Sequence, residues 1–262
     1  MFRKKKSHKS TDIEKTENTS ETENTDTEMG FFGHLEELRK RIIFAVLWLV
    51  AGCIVSGTFI NQLLEVILLK PAVAANLNLQ NLKPFGQPFL YFKIILIAGL
   101  IVAFPFILYQ LWRFIAPGLY PKERKWAGSI TTLTTLCFLT GVAFAYFVMI
   151  PTMLNFAATF GTDKIKNMID INEYFGFISM MVLASGIIFE MPMVSYILSR
   201  VGIVTPTLLR KYRRHAIIVL LILAAVLTPT PDPINQAIFA APLLILYEIS
   251  IIVAKFGVKK VS

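Results

Sequence analysis

Three carboxylates stand where their surroundings give them chemistry to do. Glu190 lies in GIIFEMP, inside a long apolar run. A carboxylate is costly to place in hydrocarbon, so a residue of this kind ordinarily faces protein or a water-filled cavity and marks a functional site. Pro192, two residues on, withholds a backbone donor, so a bend is expected beside the acid. Glu37 lies in HLEELRKR and Glu123 in LYPKERK, each an acid in basic company. Two acids on one surface suit recognition of a cationic group, above all the planar donor fork of arginine. The plainer reading is that each neutralises the Arg and Lys beside it.

Other reactive types form no constellation. His8, His34 and His215 are scattered and make no HExxH pattern, and Cys53 and Cys137 sit far apart inside apolar runs, where a small buried hydrophobe is the expected role. The sequence contains no phosphate-binding glycine loop and no GxSxG elbow. Neither an enzymatic activity nor a cofactor or metal is expected. Asp232, in the TPTPDP turn, reads as a turn-stabilising acid.

The elements that must position the three acids follow from composition. Charged residues make up 16% of the 262 residues, where about 25% is usual for a soluble domain. Mean hydropathy is +0.62. A water-soluble globule of this size has too few charges here to cover its surface, so the chain is read as a membrane protein in contact with the bilayer. The net charge of +9 raises a nucleic-acid partner, but the basic residues lie in short clusters between uncharged runs rather than in one stripe, so no nucleic acid is expected.

Residues 1–28 are polar almost throughout and are expected to be a disordered cytoplasmic tail. Residues 29–255 are expected to form the membrane domain, and 256–262 a short second tail. Phe31, Leu35 and Leu38 recur at helical spacing and open an amphipathic entry into the first span. Runs at 42–60 and 94–112 carry no ionisable Asp, Glu, Lys, Arg or His and have about the 20 residues needed to cross roughly 30 Å of hydrocarbon. A third span, 126–150, is expected to halt at Pro151, and a fourth runs over 174–199. The last two runs, 215–227 and 234–247, are short and read either as a re-entrant hairpin or as two short spans. With six spans, fifteen Lys and Arg fall on one side and five on the other, which places both termini in the cytoplasm. The two long opposite-side connections, 61–93 and 151–173, are large enough to form an external cap.

HLEELRKRI at 34–42, FPFILYQLWRFIAPGLYPKERK at 104–125, GIIFEMP at 186–192 and LTPTPDPINQ at 227–236 together resemble the TatC family, the multispanning receptor subunit of the twin-arginine protein translocase. The resemblance implies an all-α polytopic protein of six transmembrane helices in a curved, glove-like arrangement, with the last two helices short and crossing. It implies a receptor in the cell inner membrane that recognises paired-arginine signal peptides of folded cargo. It further implies recruitment of single-span partner subunits, transport driven by the protonmotive force, and a homo-oligomer within the complex. Glu37 and Glu123 match the positions that contact the arginine pair, and Glu190 matches the acid linked to partner helices. Pro71 and Asp232 match external-loop positions needed for transport. Arg39, Phe114, Pro117, Leu119 and Tyr120 fall in the cytoplasmic matches and are expected to shape the recognition surface. A secondary transporter for a small solute is the alternative that Glu190 and the Pro-interrupted fourth span leave open, although no second broken segment repeats GIIFEMP.

Overall fold

The computed structural model describes residues 11–115, 127–159, 168–228 and 233–257. It is all-α apart from one small pair of strands. Helix α1 runs from Thr11 to Thr58. The first span is its apolar part, Leu35–Thr58. Helix α1 takes in residues 11–28 of the polar N-terminal stretch. This stretch contains no Pro or Gly before Gly30 and holds five Glu, a good helix former, beside six Thr, a poorer one, with no apolar face to bury.

Beyond the first span the chain makes α2 (Ile60–Gln62), a π-helical turn over Leu63–Leu68, α3 (Leu69–Ala74) and β1 (Asn78–Gln80). The second span is α4 (Gly86–Ile115). The third comprises α5 (Ala127–Phe144), a π-helical turn over Ala145–Met149 and α6 (Ile150–Thr159). Pro151 therefore does not halt this span. The widened turn lies immediately before it, where a proline with no N–H would otherwise disrupt the regular ladder.

Strand β2 (Met168–Asp170) leads into α7 (Ile171–Phe189), which Glu190 separates from α8 (Met191–Val201). Gly202, at φ 85°, ends α8 in the left-handed conformation that glycine adopts without strain. A short α9 (Pro206–Lys211) then precedes α10 (Arg213–Leu227) and α11 (Pro233–Gly257). At 15 residues, α10 covers about 22 Å and is the short fifth crossing. The sixth is not short. It continues past Glu248 because that carboxylate meets Arg213 at 2.6 Å on the helix surface instead of lying against lipid.

Strands β1 and β2 pair in parallel, with Asn78 opposite Met168, Leu79 opposite Ile169 and Gln80 opposite Asp170. The two long connections on the side opposite Glu37 are thereby joined. The main apolar core unites α6 and α7 with α10, α11, the α3 segment and the start of α4, around Ile150, Met181, Ala224 and Phe239, all almost fully buried.

Candidate functional site

At the end of the bundle that carries Glu37 the decisive contact is between α1 and α4, which run antiparallel. A side chain on Gly52 would land on the Gly99 carbonyl, and one on Gly99 would meet Cys53 Cα and N at 2.8 Å, so the two backbones touch through a pair of glycines. Trp48 stacks on Phe106 at 4.1 Å between ring centroids, between the glycine contact and the Glu37 end. Arg41 and Gln110 each lie eleven residues beyond that glycine contact, about three helical turns, and the antiparallel register brings them face to face.

Arg41 Nη1 donates to Gln110 Oε1 at 3.2 Å, and Nη2 donates to Glu37 Oε1 at 3.1 Å. The Arg41 and Glu37 side chains are only 19% and 33% exposed, and Gln110 is buried. Their neighbours Glu36 and Lys40 also pair, at 2.9 Å, but at 67% and 65% exposure, where such a pair stabilises little. Together Gly33, Glu36, Glu37, Lys40, Arg41 and Phe44 line a cleft of about 370 Å³. Glu37 is thus a carboxylate that already holds a guanidinium in a half-buried cleft. Arg39 is exposed on the same helix, and Phe114 is half-buried near the end of α4. Pro117, Leu119, Tyr120 and Glu123 lie outside the described residues. They belong to the connection that leaves the Gln110 end of α4.

Glu190 occupies the break between α7 and α8. It is 9% exposed, and its Oε1 is buried without a hydrogen-bond partner. Close packing surrounds the break. Ser185 Oγ donates to the Gly141 carbonyl at 2.8 Å, and a side chain at Gly141 would collide with Ser185 and Phe189. Phe138 stacks on Phe104 at 3.5 Å between ring centroids. Trp112 Nε1 donates at 3.3 Å to Thr134 Oγ1, which is fully buried.

On the opposite side, Pro71 sits half-buried in α3 and has no N–H to offer the Ile67 carbonyl four residues earlier. The Tyr146 hydroxyl donates there at 3.0 Å, and the Tyr174 hydroxyl donates to the next carbonyl, Leu68, at 2.8 Å. Asp170 caps α7 by accepting from Asn172 N at 2.7 Å, and its other oxygen accepts from Leu82 N at 3.2 Å. These backbone donors, Asn172 first, hold the Asp170 carboxyl below the usual carboxylate range. Asp232 lies outside the described residues. Among the described residues no group of three or more His, Cys, Asp or Glu is placed to hold a metal ion.

The sequence pattern of the family described as Sec-independent protein translocase protein (TatC) matches residues 33–242. The chain belongs to the TatC family. It is 40% identical over 229 residues to the TatC protein of Deinococcus radiodurans, covering 86% of this chain and 85% of that one. To the protein of the same name from Carboxydothermus hydrogenoformans it is 41% identical over 231 residues, covering 88% and 95%. A crystal structure of a twin-arginine translocase receptor, TatC, superposes with a TM-score of 0.74 at 35% identity, covering 86% of this chain and 99% of that one. The chain is accordingly a multipass membrane component of twin-arginine protein translocation, with the six-helix curved arrangement of the TatC family. These findings carry the receptor reading and lend nothing to a solute transporter. Arg41, Gln110, Tyr146, Tyr174 and Asp170 were not singled out from sequence. The i,i+4 spacing of Glu37 and Arg41 was the one signal available for any of them.

Proposed function

We propose that the cleft at Glu37, completed by the connection that carries Glu123, receives the paired arginines of signal peptides on folded cargo. The single observation that supports this most is the Glu37 carboxylate, which already binds a guanidinium in a half-buried cleft. Arg39, Phe114, Pro117, Leu119 and Tyr120 shape the rim around it. Both termini and this cleft face the cytoplasm, by the excess of Lys and Arg on that side, and the host is the cell inner membrane.

Glu190 offers an unsatisfied carboxylate oxygen to a polar group on a single-span partner helix, which supplies the hydrogen bond that lipid cannot. Such bonds are worth roughly 0.6–2 kcal/mol, so packing carries most of that affinity. Pro71 and Asp232 act from the external side. The chain works as a homo-oligomer with its partners, driven by the protonmotive force, and is itself no enzyme. Binding of a paired-arginine peptide to E37Q, E123Q and the double variant tests the receptor site. Each single variant is expected to weaken binding about tenfold or more, as loss of a charge-assisted hydrogen bond does, and unchanged binding in all three defeats the assignment.

A further inference from the structure

Both π-helical turns among the described residues lie against one groove. Val66 and Ile67 of the first and Tyr146 and Phe147 of the second line it, and α4, α5 and α7 supply the remaining walls. Widened turns of this kind are frequent at functional sites. The Tyr146 hydroxyl, which donates to the Ile67 carbonyl at 3.0 Å, ties one turn to the other. The groove has a volume of about 630 Å³, and only Lys70, Tyr146 and Ser179 bring a polar side chain to a lining that is otherwise aliphatic or aromatic.

Lys70 is exposed and lines the end of the groove nearest β1. Lys93, also exposed, stands one turn before Ile97 on the α4 wall, so a second ammonium lies toward the same end. The described acids of this region are placed elsewhere. Glu173 lines a separate cleft with Met153 and Phe177, Glu65 is exposed outside the lining, and Asp170 is turned to the backbone donors of Asn172 and Leu82. We infer that this groove holds one acyl chain of an anionic phospholipid, whose phosphate sits between Lys70 and Lys93.

The shape and chemistry of the groove select that occupant. A polar ligand would leave its donors and acceptors unpaired against such a lining. A helix is too wide: two turns of one, about 10 Å across and about 11 Å long, fill about 850 Å³, more than the whole groove. An acyl chain is one methylene wide and can thread it. Lipid tails are as apolar as the lining, so entering the groove brings no hydrophobic gain, and retention comes from close packing and from the headgroup. The lysine stems can lie along the apolar wall while their ammonium groups reach the phosphate, which places the discrimination at the headgroup.

The test uses the whole chain, purified in detergent and equilibrated with mixed micelles of equimolar phosphatidylglycerol and phosphatidylcholine, with retained lipid counted by mass spectrometry of the intact complex. The unaltered protein is expected to keep one phospholipid through detergent exchange. Phosphatidylglycerol should be favoured about 25-fold, since each lysine near the headgroups is worth about fivefold toward an anionic one. K70Q and K93Q are each expected to lower that preference about fivefold, and the double variant to abolish it while one lipid is still retained. A98F and A143F push a ring into the groove from different walls and are each expected to cut retention about tenfold or more. Should one of them fail to fold, the other decides. Retention unchanged by the ring variants would mean that the lipid is held elsewhere on the surface, and it overturns the inference. So does an unaltered protein that keeps no lipid, an unchanged preference in the double lysine variant, or a photocrosslinker at Ile97 that captures a partner's transmembrane helix instead of lipid in native membranes.

Discussion

The substitution G99A tests how the Glu37 cleft is held. A methyl group on residue 99 would sit 2.7 Å from Cys53 Sγ and 2.8 Å from Cys53 Cα and N. Ordinary contact begins near 3.4 Å, so α1 and α4 must part by about 0.6 Å. Two of the three contacts are backbone, so no rotamer change relieves them. Overpacking of this kind costs about 1–3 kcal/mol. If the helices separate as rigid rods, the 3.2 Å bond from Arg41 to Gln110 stretches to about 3.8 Å, beyond hydrogen-bond range. The expected result is a Tm several degrees lower in detergent, together with loss of the Arg41–Gln110 contact and weaker binding of the paired-arginine peptide. The double variant C53A/G99A should recover little, because the Cα and N contacts persist. Full recovery in that variant, or an unchanged Tm in G99A, would refute the argument that backbone proximity sets the register of the cleft.

E190L removes a buried acid whose Oε1 has no partner, so the isolated chain is expected to gain about 1–3 kcal/mol in thermal stability while partner co-purification falls; a loss of stability would mean that the carboxylate has an internal partner. Y146F and Y174F each strip the donor from a carbonyl at the π-helical turn and should cost about 0.5–1.5 kcal/mol in Tm measurements. P71A should offset part of the Y146F loss, since it restores an N–H toward Ile67, whereas independent effects would speak against that pairing. Asp170, with its carboxyl held below the ordinary range, contributes stability to the paired β1 and β2 connections above the unfolded value near 3.9, and loses it as pH falls through the lower folded value. Limited proteolysis of these connections between pH 7 and pH 3 should show that loss, and D170N should be open at every pH.

The crossings were legible because uncharged runs of about 20 residues admit few other readings. Misreadings clustered where one residue stood for a whole contact. Pro151 looked like a terminus because sequence does not display the π-helical turn that accommodates it. Glu248 looked like the end of the last span because its partner Arg213 lies 35 residues earlier. Glu37 and Glu190 were visible as single acids out of place. Gln110 was not, since an amide near the end of an apolar run carries no periodic or charge signal, and only the antiparallel glycine register brings it to Arg41. Tyr146 and Tyr174 were hidden likewise, being ordinary membrane aromatics until the carbonyls around Pro71 lack a donor.

The brevity of α10 has an electrical consequence. About 22 Å of helix faces a hydrocarbon layer of roughly 30 Å, and lipid beside it must thin to meet the mismatch. A fixed transmembrane voltage then drops over a shorter path, and the local field on that flank steepens by on the order of a third. Any charge moving past α10 feels that steeper gradient before it has left the shelter of the protein.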